Sequence, residues 1–241
     1  MKRAFAACLG LSLALACGES ALAPRPETPP APGFRTVSDD LLAQLFRLAP
    51  ETAVALGDHS GDGKLSFPDA AGIRDALAWA RGVESALAAF DVAALSKLER
   101  VERAAWLQLA RDLRFALEVR RAPQRDPRFY TYPLHVAPYV AKDYAPLAER
   151  ARAFAAHANA GVRVLALGEQ QLEPVLPRAG LEVALSVSRG GVRFLRDDLP
   201  LALAPLGDDP QRAETLAAAQ RLAAAAEKYA AFLETRLPVS D

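Results

Sequence analysis

The sequence predicts an all-α protein, a multi-helix antiparallel array whose irregular connections are rich in proline and tyrosine. Three observations carry that reading. Hydrophobic residues make up 51% of the chain and aromatics only 7%, so alanine and leucine, both strong helix formers, supply the core. Apolar residues recur every three to five positions through the clearest long segment, and no run alternates convincingly with the period of two that a half-buried strand requires. Prolines punctuate the chain between those segments, which implies short turns and antiparallel neighbours. No fixed-period repeat is present.

The first 17 residues, MKRAFAACLGLSLALAC, read as an export signal. Lys2 and Arg3 form a basic start, and the apolar run from Ala4 to Ala16 is too short to cross a bilayer core of about 30 Å as a helix. Ala14, Leu15 and Ala16 place small and apolar residues before Cys17, in the manner of a bacterial lipobox, so Cys17 is the predicted lipidation site and mature N-terminus. The usual leucine of that motif lies one step further back, at Leu13, and plain secretion with cleavage after Ala16 is the alternative. Residues 18–33, GESALAPRPETPPAPG, form a proline-rich tether. The predicted layout is therefore 1–17 signal and lipidated cysteine, 18–33 tether, and 34–241 one helical domain. The membrane is the expected partner, through the lipid.

Helices follow in order. Ser38 with Asp39 and Asp40 reads as an N-cap and acidic first turn, ahead of Leu41, Leu42, Leu45 and Leu48. Pro50 breaks that helix, and a short second one ends at Gly57. Pro68 then reads as a first-turn proline of a helix reaching Phe90. The clearest pattern runs from Lys97 to Arg121, where Leu98, Val101, Trp106, Leu109, Leu113 and Leu117 recur between charges. Residues 126–144 hold four of the five tyrosines with three prolines, predicting an irregular loop packed through its rings. Pro146 opens a helix expected to break at Asn159, Ala160 and Gly161. Ala179 to Leu199 reads as helix, with Gly190 and Gly191 as a kink or close-packing point. Asp209 and Pro210 start the last helix, whose stripe is Leu216, Leu222, Ala226, Tyr229, Leu233 and Leu237.

Composition excludes some functions. Twenty-nine basic residues balance 29 acidic ones and alternate with them along the helices, so no single-sign stripe exists to neutralise a nucleic-acid backbone. The two cysteines, Cys8 and Cys17, leave the mature domain no internal disulfide. Asp58, Ser60, Asp62, Gly63, Leu65 and Asp69 fall on positions 1, 3, 5, 6, 8 and 12 of an EF-hand calcium loop. The last position carries Asp in place of the usual Glu, Pro68 precedes it and no second loop pairs with it, so the stretch reads as a polar connection. His59, His135 and His157 lack zinc-ligand spacing. His157 is expected to be partly exposed, and His135 to bond a backbone carbonyl. No catalytic, cofactor-binding or metal-ligating residue is assigned, and no cofactor is expected.

Two segments together carry a resemblance. Pro50, Thr52, Gly57, Asp58 and Asp69 form one pattern, and Asp143, Tyr144, Pro146 and Arg150 a second. Their order and separation resemble the N-terminal half of a bacterial family catalogued as domain of unknown function 885. The resemblance implies a helical, exported and often lipid-anchored protein, and it argues against calcium. Full-length members are thought to resemble zinc metallopeptidases through a His-Glu and paired-His motif in their C-terminal half, which this sequence does not contain. It therefore implies a noncatalytic portion, with a missing C-terminal half or self-association through the last helix as the expected partners. An independent envelope scaffold and the non-zinc half of a split peptidase are the alternatives.

Overall fold

A computed structural model describes residues 33–240; the Cys17 signal and the tether up to Pro32 lie outside the described residues. Within them the periodic segments are helical and no strand occurs, so the predicted all-α class holds. Helix α1 (Phe34–Leu48) begins four residues before the expected Ser38 cap. The reason is tertiary: Phe34 packs edge-on against Phe90, and Ser38 is buried mid-helix, where its Oγ accepts a 2.9 Å hydrogen bond from Trp106 Nε1. Helix α2 (Pro50–Ala55) is the short second helix. Helix α3 (Ala70–Ala88) takes Asp69, not Pro68, as its start, because the Asp69 carboxylate accepts from the Gly72 N–H at 2.8 Å.

Helix α4 (Lys97–Arg114) opens with a complete capping box between Ser96 and Glu99 and runs on through a π-helical turn, Phe115–Val119. Arg121, with φ of 52°, ends it. Helices α1, α3 and α4 form an up-down-up layer. Arg81 pairs with Glu118 and Arg114 with Glu84, so α3 and α4 are antiparallel, while Arg35–Glu102 and Ser38–Trp106 set α1 parallel to α4. Phe34, Leu41, Trp79, Val83 and Leu87 fill the core of this layer.

The tyrosine segment is a chain of short turns: α5 (Ala122–Arg125), two 3-10 turns (Pro127–Tyr130 and Tyr132–Leu134) and α6 (Pro138–Ala141). It packs through its rings, as its composition predicts. Helix α7 (Leu147–Gln171) then runs without the expected break at Asn159–Gly161. Those positions answer to packing instead. A Cβ on Gly161 would lie 2.8 Å from Pro133 and 3.0 Å from Leu222, and one on Gly168 would lie 2.7 Å from the Tyr130 ring. The glycines let the turns and α10 approach the helix.

Helix α8 (Arg178–Arg193) continues through a second π-helical turn (Phe194–Asp198) into α9 (Leu199–Ala202). Gly191 proves to be a close-packing point, with Leu134 3.2 Å from where its Cβ would be, and α8 passes it without stopping. Helix α10 (Pro210–Glu234) has the expected Asp209 cap, which accepts from Gln211 N–H at 2.8 Å. Leu222, Ala226, Tyr229 and Leu233 are fully buried against the chain's own helices. Ion pairs Arg189–Glu234 and Arg196–Glu227 show α8 antiparallel to α10, and contacts from Thr215 to Ala151 and Lys228 to Glu169 show α7 parallel to it. Helices α7, α8 and α10 thus make a second up-down-up layer, with the larger core. No helix among the described residues is long and apolar enough to cross a membrane.

Candidate functional site

The two sequence patterns, about 90 residues apart, meet where α2, the polar loop 58–69 and the start of α7 come together. His59 from the first segment stacks on Tyr144 from the second, ring centres 3.4 Å apart and planes 8° from parallel. Arg150 is buried; its Nε donates to Ala145 O, one terminal nitrogen donates to Tyr139 O, and the other pairs with Asp143 at 2.7 Å. Glu51, beside Pro50, takes both donors of Ser66, the N–H at 2.8 Å and the hydroxyl at 2.5 Å. Tyr132 completes the grip by donating to Ser66 O at 2.7 Å.

Tyr139 and His157 lie at the centre. The carbonyl of Pro133 can only accept, so the Nε2 of His157, 3.0 Å away, carries the proton, and Nδ1 accepts from the Tyr139 hydroxyl at 3.2 Å. That hydroxyl in turn accepts from the Gly63 N–H at 3.1 Å. Burial pushes His157 down to about 4 and Tyr139 up to about 12. His157 is therefore a buried neutral residue, not the partly exposed one expected, because a carbonyl and a phenol meet both its nitrogens. The acid–base groups of His157, Tyr139, Tyr132, Glu51 and Arg150 are each hydrogen-bonded to a neighbour, whereas the buried Tyr144 hydroxyl has no hydrogen-bond partner among the described residues and is held by its ring. The arrangement is a lock that fixes the loop to α7.

The calcium pattern dissolves in the same geometry. Asp58 accepts from Ser60 N–H, Asp62 lies 3.1 Å from His59 Nδ1, and Asp69 caps α3, so the three carboxylates serve three local turns. Hydrogen bonding from Ser60 holds the Asp58 carboxyl below its ordinary value. His135, expected to bond a carbonyl, is instead exposed in its turn. The family resemblance places zinc in a C-terminal half, not on these histidines, and they do not form a zinc set: His157 has both nitrogens engaged, His59 is held by Asp62 and Tyr144, and His135 lines the same cavity as His157 but is exposed. Among the described residues no group of three or more His, Cys, Asp or Glu side chains could hold a metal ion.

Beside the lock lies an open cleft of about 550 Å³, within the size range of small-molecule sites. It follows the seam between the two cores. Leu45, Leu48, Trp79 and Leu113 line it from the α1–α3–α4 layer, and Leu65, Phe67 and Phe129 from the side of the larger core. Arg47 and Asp75 stand at it from α1 and α3, exposed and without an ion-pair partner among the described residues. Sequence reasoning placed Leu45, Leu48 and Leu113 on helix stripes but missed the cleft, because α1, α3, α4, the 58–69 loop and the turn holding Phe129 build it together and no one of them carries a signal. The one sequence cue is Phe67, an apolar ring in the otherwise polar connection 58–69.

A family model described as bacterial protein of unknown function, DUF885, matches residues 50–241. The chain belongs to that family. DUF885 thus spans both polar patterns, the lock and most of the cleft. A solved structure described as "a putative lipoprotein of unknown function" from Shewanella oneidensis shares the fold, with a TM-score of 0.77 and 22% identity over 86% of this chain. This chain spans 38% of the length of that one. The comparison with curated proteins gave no match.

Proposed function

We propose that this DUF885 chain is an envelope lipoprotein whose helical body is noncatalytic and is held at a membrane through Cys17. The observation that carries the reading is the run Met1–Cys17, a basic start, a short apolar segment and small residues before a cysteine, followed by a proline-rich tether. The described lipoprotein character of the Shewanella oneidensis relative supports it. The lock supports the noncatalytic part: His157, Tyr139 and Arg150 are engaged in holding the loop and α7 together.

Cys17→Ser tests the anchor. The wild-type chain is expected to incorporate labelled palmitate and to sediment with membranes, and the variant to do neither. A variant that labels and fractionates like the wild type overturns the proposal.

A further inference from the structure

We propose that the cleft at the seam between the two cores binds a single-chain zwitterionic amphiphile, an acyl chain carrying a phosphoethanolamine-like head. This goes beyond the anchor and does not depend on whether Cys17 is acylated. The interior of the cleft is aliphatic and aromatic, with Trp79 and Phe129 among its walls, and its volume of about 550 Å³ is far larger than the voids left by ordinary core packing. An alkyl chain suits such a lining because it needs no hydrogen bonds and gains from every apolar atom it displaces from water. The polar groups at the cleft define the head. Arg47 comes from the last turn of α1 and Asp75 from α3, so a cation and a carboxylate face the cleft from different walls, both unpaired within the described residues. Asp69 adds a second carboxylate on the α3 side, although its Oδ1 already caps the helix. A simple anion would meet Arg47 but also two carboxylates, and a simple cation would meet the reverse. A head with a phosphate for Arg47 and an ammonium for Asp75 satisfies both walls.

The other features carry less. The second cavity, of about 380 Å³, is lined by Glu51, Tyr132, Tyr139 and His157, whose polar atoms the lock already uses. The exposed leucines and valines along α4 have nothing beside them that indicates what covers them.

The test uses the two tryptophans of the chain, Trp79 and Trp106. Unacylated mature protein carrying Cys17→Ser and Trp106→Phe leaves Trp79 as the sole emitter, and bromine-labelled lysophosphatidylethanolamine quenches an indole only on contact. Saturable quenching with one molecule per chain, below the concentration at which the lipid forms micelles, is expected. Ala76→Phe, which fills the cleft, is expected to weaken it at least tenfold. Arg47→Glu and Asp75→Lys, surface changes that leave the core intact, are each expected to weaken it about fivefold, and bromine-labelled fatty acid to bind more weakly than the lysolipid. Absence of saturable quenching, or quenching indifferent to Ala76→Phe and to both charge reversals, overturns the site. A fatty acid binding as tightly as the lysolipid overturns the head-group assignment.

Discussion

His157 is neutral in the fold because burial outweighs the Pro133 carbonyl and the Asp62 carboxylate, both of which favour its charged form. In the unfolded chain it protonates near its ordinary 6.5, whereas the folded protein resists protonation down to about 4. Between those values the unfolded state holds the extra proton, so stability falls as pH falls, by about 3 kcal/mol across the window. The carboxylates held below their ordinary values, Asp58, Glu99 and Glu118, contribute stability that is lost at still lower pH. Urea unfolding at pH 7, 5.5 and 4.5 is expected to show the loss in the wild type. His157→Leu should flatten it while costing about 1–3 kcal/mol at pH 7, since Tyr139 and Pro133 lose their partner. A Leu variant that keeps the wild-type pH slope would remove His157 as its source.

At the level of elements, the sequence showed what local pattern controls and hid what distant contacts control. The length of α4, the proline-marked start of α7 and the Asp209 cap of α10 were legible because each depends on residues within one or two turns. Leu98, Val101 and Leu109 of the predicted α4 stripe are instead exposed, because no element among the described residues packs over that part of the helix. The run through Asn159–Gly161 was misread as a break because glycine there serves Pro133 and Leu222, more than 25 residues away in either direction. Ser38 looked like a cap for the same reason: its true partner, Trp106, lies 68 residues on. Of the candidate site, only Asp143, Tyr144 and Arg150 of the lock stood in the two patterns; Glu51, Gly63, Tyr139 and His157 did not, and the cleft exists only once α1, α3, α4, the 58–69 loop and the tyrosine turns pack. Two glycines separate local from tertiary control. Gly82 in α3 has open space around it, so Gly82→Ala should stabilise by about 0.5–1 kcal/mol through helix propensity alone. Gly161→Ala carries the same propensity gain, yet its methyl meets Pro133 and Leu222, and a net loss of about 1–3 kcal/mol is expected. Thermal unfolding of the pair decides it, and equal stabilisation by both would refute the close approach at Gly161.

The described residues form two layers with separate cores, and these differ in size. Among the described residues eight buried hydrophobic side chains make up the core around α1, α3 and α4, whereas the α7–α8–α10 layer and the tyrosine turns bury Tyr130, Phe154, Leu165, Leu181, Leu199, Tyr229 and many more. Helix α4 also turns Leu98, Val101, Phe115 and Val119 outward, each more than half exposed, so much of its apolar surface adds nothing to that smaller core. Since hydrophobic stabilisation scales with the apolar area removed from water, the first layer should open at a lower free energy than the second. The cleft lies along the seam where that opening would begin, and the lock fastens the loop beside it to α7. Amide hydrogen exchange under native conditions is therefore expected to show α1, α3 and α4 exchanging together through a partial opening, while the amides of α7 and α10 exchange only with global unfolding. Breaking the lock with Tyr139→Phe removes the acceptor of the Gly63 N–H and should speed exchange in the 58–69 loop. It should leave α10 unchanged at the start of its protection. If all long helices exchanged with one common free energy, the two cores would have to act as one cooperative unit, and the seam would be a packing detail with no energetic meaning.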